Sequence, residues 1–486
     1  MSFKLRNLVA TALTSTVLFG LNGVVMADSN NDLVQALVTK GVLTEEEGAL
    51  LTKGRAEEMG VQKKKESKFS TNSVKLRGYV QVRNTTMLGG DEGINLWSDR
   101  SVGDDKSLGD ADKNFLIRRA RLVIYGDYGD HLSYYIQPDF ASSVGGTTNS
   151  NASGAGNFAQ LRDAYGDLYF DKTRVHRIRL GQSKVPFGFE NLQSSQNRLA
   201  LDRADALNSA VRDERDLGAF YYYTPEATQA MFDEIGKLGL KHTGNYGQFG
   251  IGVYNGQGAN ARDQNDNYHT VARYTYPWKT ESGQFYEVGI QGYKGEYVST
   301  TSGYSRRVGN NLVAALAPTL GSGVPLSGRN GIDDERVGIS FMMYPQPFGL
   351  QAEWNWGNTP GLDIASNTIE KKSLNGGYIQ AMYKIDNVKF FDTNTTVIPF
   401  IKYQYFDGYN KAETNSPKNE VHDWELGVEW QIAPEVEIAA VYHRMNRTNL
   451  VTGNRPAASA SNNLPAREDY ENFSADALRV QVQYNY

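Results

Sequence analysis

The chain has no cysteine, and only six histidines and 14 prolines in 486 residues. Without thiols there is no disulfide framework, no cysteine-built zinc site, no iron–sulfur cluster and no thiol nucleophile. Six scattered histidines leave little for imidazole acid–base or metal chemistry. Long apolar runs are equally scarce. After residue 27 no stretch approaches the roughly 20 apolar residues that a spanning helix needs. Mean hydropathy is −0.51, too polar for a bundle of membrane helices. Basic charge is not in excess: the formal balance is −5, which gives no support for nucleic-acid binding. No Gly-x-Ser-x-Gly elbow, nucleotide loop, haem motif or helix-borne metal pair occurs, so no catalytic residue, cofactor or metal is assigned. Asp263-Gln264-Asn265-Asp266-Asn267 starts like a calcium loop, but Tyr268 stands where the turn needs Gly and Tyr274 where the bidentate Glu belongs. It reads as a solvated loop.

What is present points to β structure. Tyr (29) and Gly (49) are abundant, and from Val74 the chain falls into short runs of period two separated by loops. In Leu478–Tyr486 one face is Leu, Val, Val, Tyr, Tyr and the other Arg, Gln, Gln, Asn. Asp423–Ile432 sets Trp424, Leu426, Val428 and Trp430 against Glu425, Gly427, Glu429 and Gln431. A soluble sandwich alternates too. A membrane barrel is favoured by apolar faces that end in Tyr or Trp, and by gaps that alternate between tight turns and long loops. Tight gaps fall at Tyr128–Asp130, Asp171–Arg174, Gln346–Pro347 and Pro434–Glu435; long ones fall at Gly89–Lys113, Ser142–Phe158, Lys184–Arg215, Ser299–Asp333 and Asn446–Ala475. Only a closed sheet satisfies its backbone groups in lipid. The expected fold is all-β: a transmembrane antiparallel β-barrel of about sixteen strands over 73–486, with a short N-terminal helical segment. Residues 224–236 read as a short helix after the sixth strand, and Leu238–His242 as another strand or the continuation of one, so the sixth strand and the turn after it stay open.

The start of the chain has a different character. Residues 1–27 carry Lys4 and Arg6, then an apolar stretch with small residues up to Val25-Met26-Ala27, the pattern of an export signal. Residues 28–72 are expected to be a periplasmic segment and linker. Within it 31–59 reads as helical, with a capping box at Thr44-Glu45-Glu46-Glu47; an oligomerising or docking helix pair and a loose spacer are both open for it.

Residues 115–140 (FLIRRARLVIYGDYGDHLSYYIQPDF), Leu161–Tyr165 (LRDAY), Ile178–Glu190 (IRLGQSKVPFGFE), Asp216-Leu217-Gly218 and Gly252–Gly256 (GVYNG), with the terminal aromatic Tyr486, resemble the phosphate-selective porin family of the O/P type. The most specific part is Arg118-Arg119-Ala120-Arg121 followed by Pro186-Phe187-Gly188, and the likeness covers roughly residues 70–486. It implies an outer-membrane channel, a homotrimer of sixteen-stranded subunits, a third long loop folded into the lumen, and passage of small anions along arginine- and lysine-lined paths.

Alternation assigns the lumen face. If the apolar faces meet lipid, Lys75, Arg77, Arg83, Arg119, Arg121, Arg177 and Arg179 point inward, and Lys184 is the candidate at the start of the third loop. Arg198, Arg203, Arg212 and Arg215 belong to that loop, as a candidate constriction. Guanidinium groups fit phosphate or carboxylate with a planar fork, and rings of them are the expected lining of an anion pore. By strict alternation Arg118 falls on the lipid face. Inward acids occur as well (Asp139, Asp163, Asp167, Glu353, Glu425, Glu429, Glu437), and the last strands look net acidic inside. An anion channel, possible phosphate selectivity included, therefore stands beside a weakly selective general diffusion porin; a structural or adhesive barrel is a distant third, since it needs no charged lumen. Expected partners are outer-membrane lipid, small anionic solutes and two further copies of the chain.

Overall fold

The computed structural model describes residues 37–40, 42, 44–47, 74–91, 94, 113–141, 159–308, 311–315, 317–320, 331–450 and 470–486. The export signal lies outside the described residues, as does most of the N-terminal helical segment. The described part of that segment keeps the capping box. Thr44 Oγ1 accepts from the Glu47 N–H (3.2 Å), and Glu47 Oε2 accepts from the Thr44 N–H (2.9 Å), so two otherwise orphaned donors are satisfied at the start of one helical turn.

Val74–Tyr486 forms the second unit. Its strands are β1 (Lys75–Gly90), β2 (Lys113–Tyr128), β3 (Leu132–Asp139), β4 (Gln160–Tyr169), β5 (His176–Lys184), β6 (Arg215–Tyr223), β7 (Phe249–Tyr254), β8 (His269–Lys279) and β9 (Phe285–Tyr297). A separate hairpin, β10 (Tyr304–Val308) and β11 (Asn311–Ala315), and the two-residue β12 (Thr319–Leu320) follow. The sheet resumes with β13 (Ile332–Met343), β14 (Phe348–Asp363), β15 (Thr368–Tyr383), β16 (Ile385–Phe390), β17 (Thr393–Tyr409), β18 (Lys418–Ala433), β19 (Val436–Leu450) and β20 (Tyr470–Asn485). β15 and β16 both pair with β17 and act as one strand broken at Lys384, so the ring has sixteen strands.

Neighbouring strands pair antiparallel, and β1 pairs with both β2 and β20, which closes the sheet. The C-terminal residue seals the seam: Tyr486 exchanges backbone hydrogen bonds with Gly78 (3.0 and 2.7 Å), and its hydroxyl donates to the Arg121 carbonyl (3.1 Å). A Cβ at Gly78 would lie 2.6 Å from the Tyr486 ring, so only glycine admits the terminal aromatic there.

Burial is inside-out relative to a soluble sheet. Trp424, Leu426 and Val428 are exposed on β18 while Asp423, Glu425 and Glu429 between them are buried. On β1, Leu76 is exposed while Gln81, Arg83 and Thr85 are fully buried. Apolar side chains are stable outside only where the surroundings are apolar, so the outer band marks the lipid contact. Exposed aromatics gather at the short-turn end: Tyr128, Phe170, Tyr223, Phe249, Phe348, Tyr383 and Phe391. That is the expected interfacial girdle.

Candidate channel lumen and its inner loop

The β5–β6 connection carries apolar residues that no solvent-exposed loop would bury. Val185, Phe187, Phe189, Leu192, Leu199, Leu201, Ala206 and Leu207 are all within 5% of full burial. Two single-turn helices shape it, α1 (Phe189–Leu192) and α2 (Asp205–Asn208). Gly188, at φ +82°, lets the chain turn into α1 with Leu207 Cδ1 only 3.0 Å from where a Cβ would stand.

The loop is held inside the bore by strands from several walls. Asp202 takes Arg83 of β1 (2.8 Å), Arg479 of β20 (2.9 Å) and Arg118 of β2 (3.5 Å). Asp205 takes Arg447 of β19 (2.7 Å), and its backbone N–H donates to Gln404 of β17 (2.9 Å). Glu190 accepts from Lys402 of β17 (2.6 Å). Arg336 of β13 donates to the Ala206 carbonyl (2.9 Å) and to Ser209 Oγ (3.0 Å). Burial by itself would raise the Asp202 carboxyl, but the Arg83, Arg118 and Arg479 guanidiniums outweigh it and hold it well below the usual range. Glu214 is likewise held well down against its burial, by Arg203, Arg215, Arg162 and Lys184.

Half of the basic residues expected in the lumen meet an acid. Arg83 is on Asp202; Arg121 is on Asp139 (2.7 Å); Arg179 is on Asp167 (2.7 Å), with Arg177 3.8 Å from the same carboxylate. Arg215 lies between Asp163 (2.9 Å) and Glu214 (2.6 Å), and Arg203 pairs with Glu214. Lys184 Nζ donates to the Leu192 (3.1 Å) and Gln193 (2.8 Å) carbonyls, closing the end of α1. Arg77 donates to the Tyr135 hydroxyl (3.2 Å) and lies over the Tyr125 and Tyr135 rings. Lys75 is exposed beside Tyr125, and Arg212 is exposed on the loop.

Arg119 and Arg198 differ. Both are 6% exposed. Among the described residues Arg119 donates only to Gln81 Oε1 (2.8 Å), and its Nε has no partner. Arg198 has Nε and Nη1 buried without a partner. Burial, then the charge of Arg203, pushes the Arg198 guanidinium down to about 10, so it stays charged at neutral pH. Arg119 feels the charges of Arg118, Arg198 and Arg121 together.

Arg118 corrects the reading from alternation. Gln81 pairs with Arg119 and Val82 with Ile117, so Arg118 is the extra residue of a β-bulge. Phe115 and Ile117 face out, and past the bulge Arg119 and Arg121 face in. Arg118 itself turns inward to Asp202. The signal was three arginines within four residues, which strict alternation cannot place on one face. The last strands are also less acidic inside than they look, because Arg447 and Arg479 there anchor the loop. The loop at Asp263 folds its amides onto its own backbone: the Asn265 N–H donates to Asp263 Oδ1 (3.2 Å) and the Asn267 N–H to Asn265 Oδ1 (3.1 Å). Among the described residues no cluster of three metal-ligating side chains occurs.

A search of curated proteins gave no match. Solved structures similar to the chain include the outer-membrane channel DcaP of Acinetobacter baumannii (15% identity, 86% of this chain and 99% of that one, TM-score 0.46). Another is an anion-selective porin from Comamonas acidovorans (13%, 85% and 99%, 0.44), and a third is Salmonella typhi OmpF (13%, 85% and 97%, 0.47). At such scores the assignment rests on the barrel's own closure and on the family match. The profile of the family described as phosphate-selective porin O and P matches residues 93–486. An inside-out closed barrel with a polar bore, matched over most of its length by that profile, belongs to the phosphate-selective porin O and P family: it is a porin channel of the bacterial outer membrane, not an enzyme.

Proposed function

We propose that the channel favours small anions in passive diffusion. The observation that carries this is the pair Arg119 and Arg198. Each is buried in the bore, with guanidinium nitrogens unpaired and no carboxylate partner among the described residues. A buried charge without a counter-ion is costly, and a passing anion can supply that counter-ion. Arginine donors that turn towards it replace part of its hydration shell, while contact with single guanidinium groups stays weak enough to release it. The arginines on Asp139 and Asp163 contribute shape more than net field, since each meets a carboxylate, whereas Arg177 and Arg179 share Asp167 and leave one positive charge there. Phosphate is the solute that the family's name suggests, and the same fork geometry suits carboxylates. The reading extends to a homotrimer seated in lipid by its outer apolar band, with residues 28–72 on the periplasmic side after removal of an export signal.

The test is the reversal potential of single channels in a planar bilayer under a potassium chloride gradient, with and without added phosphate. Anion preference that falls in both R119Q and R198Q supports the path; block of chloride current by phosphate supports a phosphate site. A cation-side or zero reversal potential in the unaltered protein, unchanged by either substitution, means a general diffusion porin instead.

A further inference from the structure

One connection at the short-turn end does not behave as a turn. β6 and β7 close their hairpin directly, the Gln248 N–H donating to the Tyr223 carbonyl (2.9 Å), yet residues 224–248 lie between them. The excursion begins as helix α3 (Glu226–Lys237), whose Thr228, Phe232 and Ile235 recur at helical spacing and are buried. Gly239, at φ +66°, ends it, and the chain then runs without helix or strand from Leu240 to Tyr246, so the strand expected over Leu238–His242 does not form.

This run goes inward. Phe232, Ile235 and Leu240 share one apolar cluster with Phe189, Leu199 and Leu201 of the inner loop, and with Phe285, Phe400 and Val441 of β9, β17 and β19. The Lys241 carbonyl accepts from Gln193 of the inner loop (2.8 Å). Its ammonium, 10% exposed, is 2.6 Å from Glu429 of β18 and 3.2 Å from Glu437 of β19. β18 stands halfway round the sixteen-strand ring from β6. The run is tied back at its origin by Thr224 to Asn245 (3.0 Å). A segment that leaves one wall and ends its reach in two ion pairs on the opposite wall crosses the bore. Glu429 and Glu437 lie near the Pro434–Glu435 turn, so the crossing is at the turn end of the barrel, the periplasmic end.

We propose that Leu240–Tyr246 is a second constriction of this channel, a strap across the periplasmic mouth, and that Lys241 anchors it and sets the charge of that mouth. Every solute that passes the inner loop must pass beside the strap. With Lys241 in place one of the two carboxylate charges is neutralised. Without it the strap loses its far anchor, and the mouth presents two acids to the solute. Lys241 thus acts on both the width and the sign of selectivity of the exit. The proposal rests on the channel assignment and is independent of Arg119 and Arg198.

The full-length protein in planar bilayers tests it. K241Q should raise single-channel conductance and move the reversal potential towards potassium. The triple variant K241Q/E429Q/E437Q releases the strap without leaving acids behind, so conductance should stay raised while the cation shift disappears. A cation shift in K241Q with wild-type conductance in both variants would show that Lys241 matters by charge alone and overturn the strap. A second measurement uses the absence of native cysteine. Thr243 is buried and Asp233 exposed. T243C should react slowly with a water-soluble thiol reagent in the unaltered background and fast with K241Q added, while D233C reacts fast in both. Fast labelling of T243C with Lys241 intact would also overturn the proposal. Should K241Q fail to fold, E437Q, which removes only the longer contact, should move conductance in the same direction, and unchanged conductance there would count against the anchor.

Discussion

Asp202→Asn is the most informative single change in the inner loop. The carboxylate is shared by Arg83 (2.8 Å), Arg479 (2.9 Å) and Arg118 (3.5 Å). Arg83 would keep Gln481 Oε1 (3.0 Å) and the Leu201 carbonyl (3.1 Å). Arg479, whose one hydrogen bond among the described residues goes to that carboxylate, would lose its counter-charge. Removing one partner of a buried pair costs about 3–5 kcal/mol, and in a bore with access to water the lower end applies, about 3 kcal/mol. That cost falls on docking of the loop, because no strand pairing involves Asp202. The loop should therefore become cleavable by protease while the barrel keeps its resistance to unfolding. Electrostatically the bore gains one unit of positive charge. At a distance of about 8 Å in water-like surroundings this is worth about 0.5 kcal/mol to a monovalent anion and costs a monovalent cation as much, roughly a fivefold rise in the anion-to-cation permeability ratio. The rise should shrink in high salt as screening shortens the field. The acid dependence has a definite sign. Because the folded carboxyl is held well below its unfolded value of about 3.9, its anchoring contribution is complete above that value and is lost only as pH falls through the depressed one. Lowering the pH from neutral to about 4 should leave loop protection in the unaltered protein unchanged. The same permeability ratio and the same protease pattern in D202N would refute this account of how the loop is held.

Arg118→Cys, in a chain with no other cysteine, should be labelled by a charged thiol reagent only from the aqueous bore; labelling by a lipid-soluble reagent alone would return Arg118 to the outer face and remove the bulge. Leu426→Arg places a charge on the outer face, where Leu426 is 61% exposed; it should cost about 2–4 kcal/mol near the bilayer midplane, read by denaturant unfolding in liposomes, with a negligible effect putting that face outside lipid. Gly188→Ala forces a side chain into a backbone region reserved for glycine and against Leu207, at about 1–3 kcal/mol; the expected result is a noisier, wider channel, and unchanged single-channel traces would show that the loop entry tolerates a Cβ.

The sixteen sheet-forming stretches are legible because a lipid-facing wall imposes period two on the sequence. The runs Asp423–Ile432 and Leu478–Tyr486 follow β18 and β20, the expected number of strands closes the ring, and 224–236 is largely helical, whereas Leu238–His242 forms no strand. The same pattern tells which side chains of β18 and β20 face the bore, since Trp424 and Leu426 alternate with Glu425. It fails where the backbone departs from strict pairing. A bulge adds one residue and flips everything on one side of it, so Arg118 faces Asp202 although its number in the alternation says lipid. It fails again at Lys184, the last residue of β5, whose ammonium goes to the Leu192 and Gln193 carbonyls at the end of α1.

Local sequence thus determined where the strands run, which face of each is apolar and that the lumen holds many charges, because these depend on neighbours two residues apart. Which charges neutralise each other was decided only by closure of the ring. Asp202 finds Arg83 and Arg479, Asp205 finds Arg447, and Lys241 finds Glu429 across separations of more than a hundred residues. Arg119 and Arg198 are left uncompensated by the same closure, since the nearby acids are already shared among other cations in a bore narrow enough to bring them together.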